Sequence, residues 1–130
     1  MTKALYVPAD ETKPARLVEI GGTAQQLGRL QSLVGGSVQC ASFDTDADIW
    51  VNEEGRGNGL EGNLRATDYA LTESEAAKEG RTRGREEWYS LYGDVVITGA
   101  PDEDNYATDV PQRFIDRFGL SIDNSIGPEL

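Results

Sequence analysis

The chain has 130 residues and a net charge of -11, with 23 Asp and Glu against 12 Lys and Arg, one cysteine and no histidine. That length is enough for one core without disulfides or a structural metal, while the acidity excludes a broad attraction to phosphate backbones or anionic membranes. Without histidine, Cys-His and Ser-His nucleophile pairs and the usual zinc ligand set are closed.

Cys40 has no partner for an intrachain disulfide, which fits a reducing compartment. It sits in an alternating segment where a small buried hydrophobe is the simplest reading. The first ten residues carry no leader-like apolar run, and no stretch reaches the length of a membrane-spanning helix. The protein is therefore expected to stay in the cytoplasm where it is made.

In chain order, Ala4-Leu5-Tyr6-Val7 and Leu17-Val18-Glu19-Ile20 are β-prone runs joined by a long loop, and predict a hairpin. After Gly21-Gly22, Thr23 and Gln26 have the spacing of a capping box. Ala24, Leu27, Leu30, Leu33 and Val34 then follow helical spacing up to Gly35-Gly36, predicting a helix over Thr23 to Val34. Ser37 to Phe43 and Asp48 to Asn52 predict a second hairpin, with Ile49 and Val51 on one face and Trp50 on the other.

Glu53 to Asn63 has the glycines and amides of a loop. Asn63 to Leu71 is ambiguous, Glu73 to Gly84 is polar, and Glu86 to Tyr92 suits a helical turn carrying aromatics. Val95-Val96-Ile97-Thr98 predicts a buried strand, followed by an acidic loop from Pro101 to Asn105. Val110, Phe114, Ile115 and Phe118 form a helical stripe, with Asp109 as cap and Gly119 as stop. The expected fold is α+β: a small, mostly antiparallel sheet of about five strands, packed by one central helix and a short C-terminal helix. Residues 1–100 form the domain, and residues 101–130 an acidic loop and C-terminal helix docked on it.

The order Ala4-Leu5-Tyr6-Val7-Pro8, Val18-Glu19-Ile20, Leu33-Val34-Gly35-Gly36, Trp50-Val51-Asn52-Glu53-Glu54-Gly55, Asn63-Leu64-Arg65-Ala66-Thr67 and Asp94-Val95-Val96-Ile97-Thr98-Gly99 resembles the family catalogued as domain of unknown function 3846. The resemblance covers roughly residues 3 to 100. It implies a phage or mobile-element accessory protein, many of the family being actinobacterial, and it brings no established activity.

Several local patterns carry competing chemistry. Asp44, Asp46 and Asp48 match the start of a calcium loop, but Ile49 stands where the glycine belongs and Gly55 where the bidentate Glu belongs, so a hairpin turn is the better reading. Gly57, Gly59 and Gly62 spell G-x-G-x-x-G, yet without a following helix and parallel strand, and among Glu53, Glu54 and Glu61. Those three carboxylates are the nearest candidates for an acid-only enzyme. Lys78, Arg81, Arg83 and Arg85 read as a solvated, charge-balanced loop before they read as an anion grip. Trp88, Tyr89 and Tyr92 suit either a binding patch or packing against the sheet.

The favoured reading is a non-enzymatic accessory protein, without a cofactor, that binds a host protein or a small nucleotide-like ligand, in counter-defence. The candidate site is Asn52, Glu53, Arg56, Asn63, Arg65 and Thr67: the amides and hydroxyl offer paired donors and acceptors, the arginines offer anion contacts, and the glycines allow close backbone approach. The same residues equally suit a self-bonded loop. The alternatives are an acidic DNA mimic that inhibits a DNA-binding enzyme, or a carboxylate-dependent enzyme. A homo-oligomer is compatible with the sequence; direct nucleic-acid or membrane binding is not expected.

Overall fold

The computed structural model describes residues 2–119. Alternating and uncharged apolar runs give five strands: β1 (Thr2–Val7), β2 (Arg16–Gly21), β3 (Val38–Ala41), β4 (Ala47–Asn52) and β5 (Val95–Gly99). They form one sheet in the order β2-β1-β5-β4-β3, with every neighbouring pair antiparallel. Both hairpins read from the sequence are present. β5, the last strand among the described residues, inserts between them and is buried along its whole length, as an uncharged run covered on both faces should be.

The period of two sends successive side chains to opposite cores. Leu5, Val7, Ile49, Val95 and Ile97 join one core, while Ala4, Ile20 and Val96 join the other. Helix α1 (Gln26–Val34) covers the second core through Leu30 and Val34. Helices α2 (Leu64–Thr72), α3 (Glu75–Lys78) and α4 (Gln112–Arg117) cover the first through Ala66, Tyr69, Ala70, Ala76 and Phe114. The fold is thus the expected α+β sheet with a central and a C-terminal helix, plus two helices in the stretch where periodicity was weak. Residues 120–130 of the C-terminal segment lie outside the described residues.

Three capping and packing expectations are corrected. Thr23 to Gln25 is a 3-10 turn without a side-chain cap. Gln26 closes no capping box; it is buried, donates to the Ala107 carbonyl (3.0 Å) and accepts from the Ala107 N–H (2.9 Å). A long-range partner thereby outcompetes the local one, and Leu27, expected on the apolar face, is left 58% exposed. Asp109 does not cap α4, whose N-cap is Pro111, because its carboxylate accepts the Lys3 N–H at 2.9 Å. The expected helix stops hold: Gly35 and Gly119 both adopt positive φ.

Candidate functional site

The loop expected to hold the site joins β4 to α2, and most of its polar side chains are spent on the fold. Asn63 is fully buried and caps α2 by accepting the Ala66 N–H (3.1 Å), while its amide donates to the carbonyls of Val7 and Gly93 at 2.9 Å each. It therefore ties β1, the start of α2 and the entry to β5 together. Asn52 donates to the Val34 carbonyl (3.2 Å) and accepts the Glu54 N–H (2.8 Å), closing α1 against the end of β4. Thr67 accepts the Leu91 N–H at 2.9 Å. Arg65 donates through Nη2 to the Pro8 and Asp10 carbonyls at 2.7 and 3.3 Å, and its buried Nε has no partner. Asn63, Arg65 and Thr67 thus bond within the fold, the arrangement of the self-bonded loop.

Asn52, Glu53 and Arg56 are brought to a different place, a cleft of about 400 Å³ between the β3–β4 face and the segment Trp88–Tyr92. The segment enters through two successive four-residue turns, the bonding of a single tight helical turn, with Trp88 N–H bonded to Arg85 O (2.9 Å) and Tyr89 N–H to Glu86 O (3.1 Å). Both suggested fates of its aromatics occur. Tyr89 packs edge-on to Phe43 with ring centroids 5.7 Å apart, whereas Trp88 stands 83% exposed. Arg56 lies over the Tyr92 ring, 5.8 Å from its centroid, and pairs with Glu87 at 2.9 Å.

That volume falls in the range of small-ligand sites, and its lining mixes aromatic rings with Gln39, Asn52, Glu53 and Arg56. The arrangement can stack a planar group and direct a few hydrogen bonds. Sequence reasoning named the aromatics but not their meeting with the loop. The signal, three aromatics within five residues of a polar segment, was legible; their neighbour across the fold was not.

Cys40, expected to be buried, is exposed, because β3 is an edge strand. Shielding of its sulfur and the nearby Asp48 carboxylate push the thiol up to about 11. It is a poor nucleophile at neutral pH.

The remaining patterns resolve as structure. Asp44 accepts from the Tyr69 hydroxyl (2.7 Å) and the Glu75 N–H (2.9 Å), and Asp46 receives the Arg113 guanidinium bidentately at 2.6 and 2.9 Å. The turn is thereby clasped to α2, α3 and α4, and the segment is the hairpin turn expected. No group of three His, Cys, Asp or Glu among the described residues is placed to hold a metal. A helix does follow the three-glycine pattern, contrary to expectation, but the next strand, β5, is antiparallel to β4, so the dinucleotide unit is absent among the described residues. Arg81, Arg83 and Arg85 are exposed, and Arg81 pairs with Glu79 at 2.7 Å. No helix among the described residues is long and apolar enough to cross a membrane.

Fold and cleft together define a small α+β domain with helices on both faces of an antiparallel sheet and a shallow aromatic cleft beside one edge. The chain belongs to the family described as Domain of unknown function (DUF3846), whose sequence model matches residues 1–120. The match runs past residue 100 and takes in the acidic loop and α4, which the resemblance had set apart. No curated protein and no solved structure matches the chain.

Proposed function

We propose that the protein is a non-enzymatic binding protein that holds a small planar, nucleotide-like ligand in the cleft between β3–β4 and Trp88–Tyr92. The observation that carries this reading is the exposure of Trp88, 83%, at the wall of a 400 Å³ cleft that also contains Arg56 and Tyr92. Leaving a Trp ring in water forgoes roughly 1.5–3 kcal/mol of apolar burial, which a stacked ligand recovers.

The surroundings define the ligand further. Arg56 is already paired with Glu87, and Glu53 lines the same cleft, so a polyphosphate meets net negative charge. A base or nucleoside with little phosphate suits it better. Such a protein acts by sequestration, which agrees with a phage-type accessory role in counter-defence in the host cytoplasm. Acid mimicry of DNA is less favoured: Asp44, Asp46, Asp68, Glu73, Glu79 and Glu87 are all paired with arginines, leaving no row of free carboxylates through those positions.

A host-protein partner is the second reading, favoured by the same tryptophan, since exposed Trp and Arg dominate interface hot spots. The test is tryptophan fluorescence of a Trp50→Phe variant, in which Trp88 is the one remaining indole, titrated with nucleobases, nucleosides and mono-, di- and triphosphates. Saturable quenching by nucleosides that weakens with each added phosphate supports the reading. An unchanged spectrum across the set overturns it and leaves the protein-partner reading.

A further inference from the structure

The two edges of the sheet are built differently. On β2, Arg16 and Glu19 are charged, and Arg29 Nε donates to the Glu19 carbonyl at 3.2 Å, the usual protections of a sheet edge. On β3, no residue from Ser37 to Phe43 carries a charge. The bond from Glu53 N–H to Ser37 O (2.7 Å) makes Ser37–Glu53 a hydrogen-bonded pair. Given the register Val38↔Asn52, Gln39↔Val51, Cys40↔Trp50 and Ala41↔Ile49, alternation turns the main chain of Gln39 and Ala41 toward β4. The N–H and C=O groups of Val38 and Cys40 then point outward.

We propose that β3 pairs antiparallel with β3 of a second copy about a two-fold axis at Gln39, joining two five-stranded sheets into one. In that register Val38 of each copy exchanges main-chain hydrogen bonds with Cys40 of the other, and the two Gln39 residues face each other as a non-hydrogen-bonded pair, with Cα atoms about 4.5 Å apart. The axis is perpendicular to the sheet, so both aromatic clefts open on the same face and flank it.

Charge selects the occupant. A basic strand drawn by the net charge of -11 finds no carboxylate on β3 to meet. The strand's own copy brings no charge against none, and antiparallel pairing about Gln39 sets Ser42 and Phe43 of each copy opposite Gly36 and Gly35 of the other, so the Asp44 and Asp46 turns of the two copies lie at opposite ends of the paired strands. The proposal rests on the edge and is independent of any ligand in the cleft.

Sedimentation velocity of the full chain over a wide concentration range is the test. The expected result is a dimer that strengthens with salt, as screening relieves repulsion between the two acidic bodies. Val38→Pro removes an outward N–H without touching the β3–β4 ladder, and should sediment as a monomer with an unchanged circular dichroism spectrum. Gln39→Lys and Gln39→Glu should each be monomeric alone and form a mixed dimer together, a rescue that loss of folding cannot mimic. A wild-type monomer at every concentration, or a dimer that Gln39→Lys leaves intact, overturns the proposal. Because sedimentation needs no ligand, its outcome is separate from that of the fluorescence titration.

Discussion

Asn63 shows what one buried amide does in this protein. Its two donors and its carbonyl oxygen are all matched, at 2.9, 2.9 and 3.1 Å, with no exposed surface. Asn63→Ala strands two buried carbonyls and uncaps α2; at about 1 kcal/mol or more for each loss, the total is about 3 kcal/mol, readable as a lower urea midpoint with unchanged slope. Tyr6 makes a second prediction. Burial, then its short hydrogen bond to the Asp94 carboxylate, pushes the phenol up to about 12. A folded-state value above the ordinary 10 means the native state keeps its proton longer, so the stabilisation is complete below pH 10 and is lost as pH rises to 12. Denaturation midpoints should fall across that window, and fall less steeply in Tyr6→Phe.

At the scale of elements, glycines separate close packing from spare room. A Cβ on Gly99, at the end of β5, would lie 2.3 Å from the Asp109 carbonyl oxygen and 2.4 Å from Thr108 Oγ1. The strand ends where the segment leading to α4 crosses it, held by the Gly99 N–H to Thr108 O bond at 2.9 Å. Gly99→Ala should cost about 3 kcal/mol, the upper part of the range for overpacking against main chain. Gly28, inside α1, has nothing within 4 Å of its Cβ position, and Gly28→Ala should add about 0.5–1 kcal/mol through the helix backbone. Thermal melts of the two variants should move in opposite directions.

For the whole molecule, charge is the governing quantity. Ion pairs bind the β3–β4 turn and α2 to α4 through Arg113 and Arg117, but the exposed pairs are individually weak. The unbalanced -11 is self-repulsive over the whole surface. Raising sodium chloride from low to moderate ionic strength should therefore raise the melting temperature; a fall would mean that the pairs outweigh the repulsion.

How much of this was legible in the sequence follows from the range of the forces involved. Strands, turns and the ends of α1 and α4 announce themselves because alternation, helical spacing and left-handed glycines are local properties. Helix α2 was obscured because its buried positions are the small Ala66 and Ala70 beside Tyr69, while Leu64 faces water at 60% exposure; the N-capping Asn63 was the available clue. Gln26 and Asp109 depart from expectation for one shared reason: each has a good local role in sequence but bonds across the fold instead, whereas Asn63 makes its local cap and bonds across the fold as well.

By itself the sequence determined an acidic, histidine-free α+β domain with two hairpins and a buried strand at Val95 to Thr98, since these depend on composition and on contacts a few residues apart. Only the tertiary structure decided that β5 lies between the hairpins, that Asn63, Arg65 and Thr67 bond to main-chain groups far along the chain, and that Arg56 and Glu53 meet Trp88 in a cleft. Those outcomes depend on which distant groups satisfy buried donors and acceptors, and such partners are chosen by packing in three dimensions, where sequence spacing carries no distance.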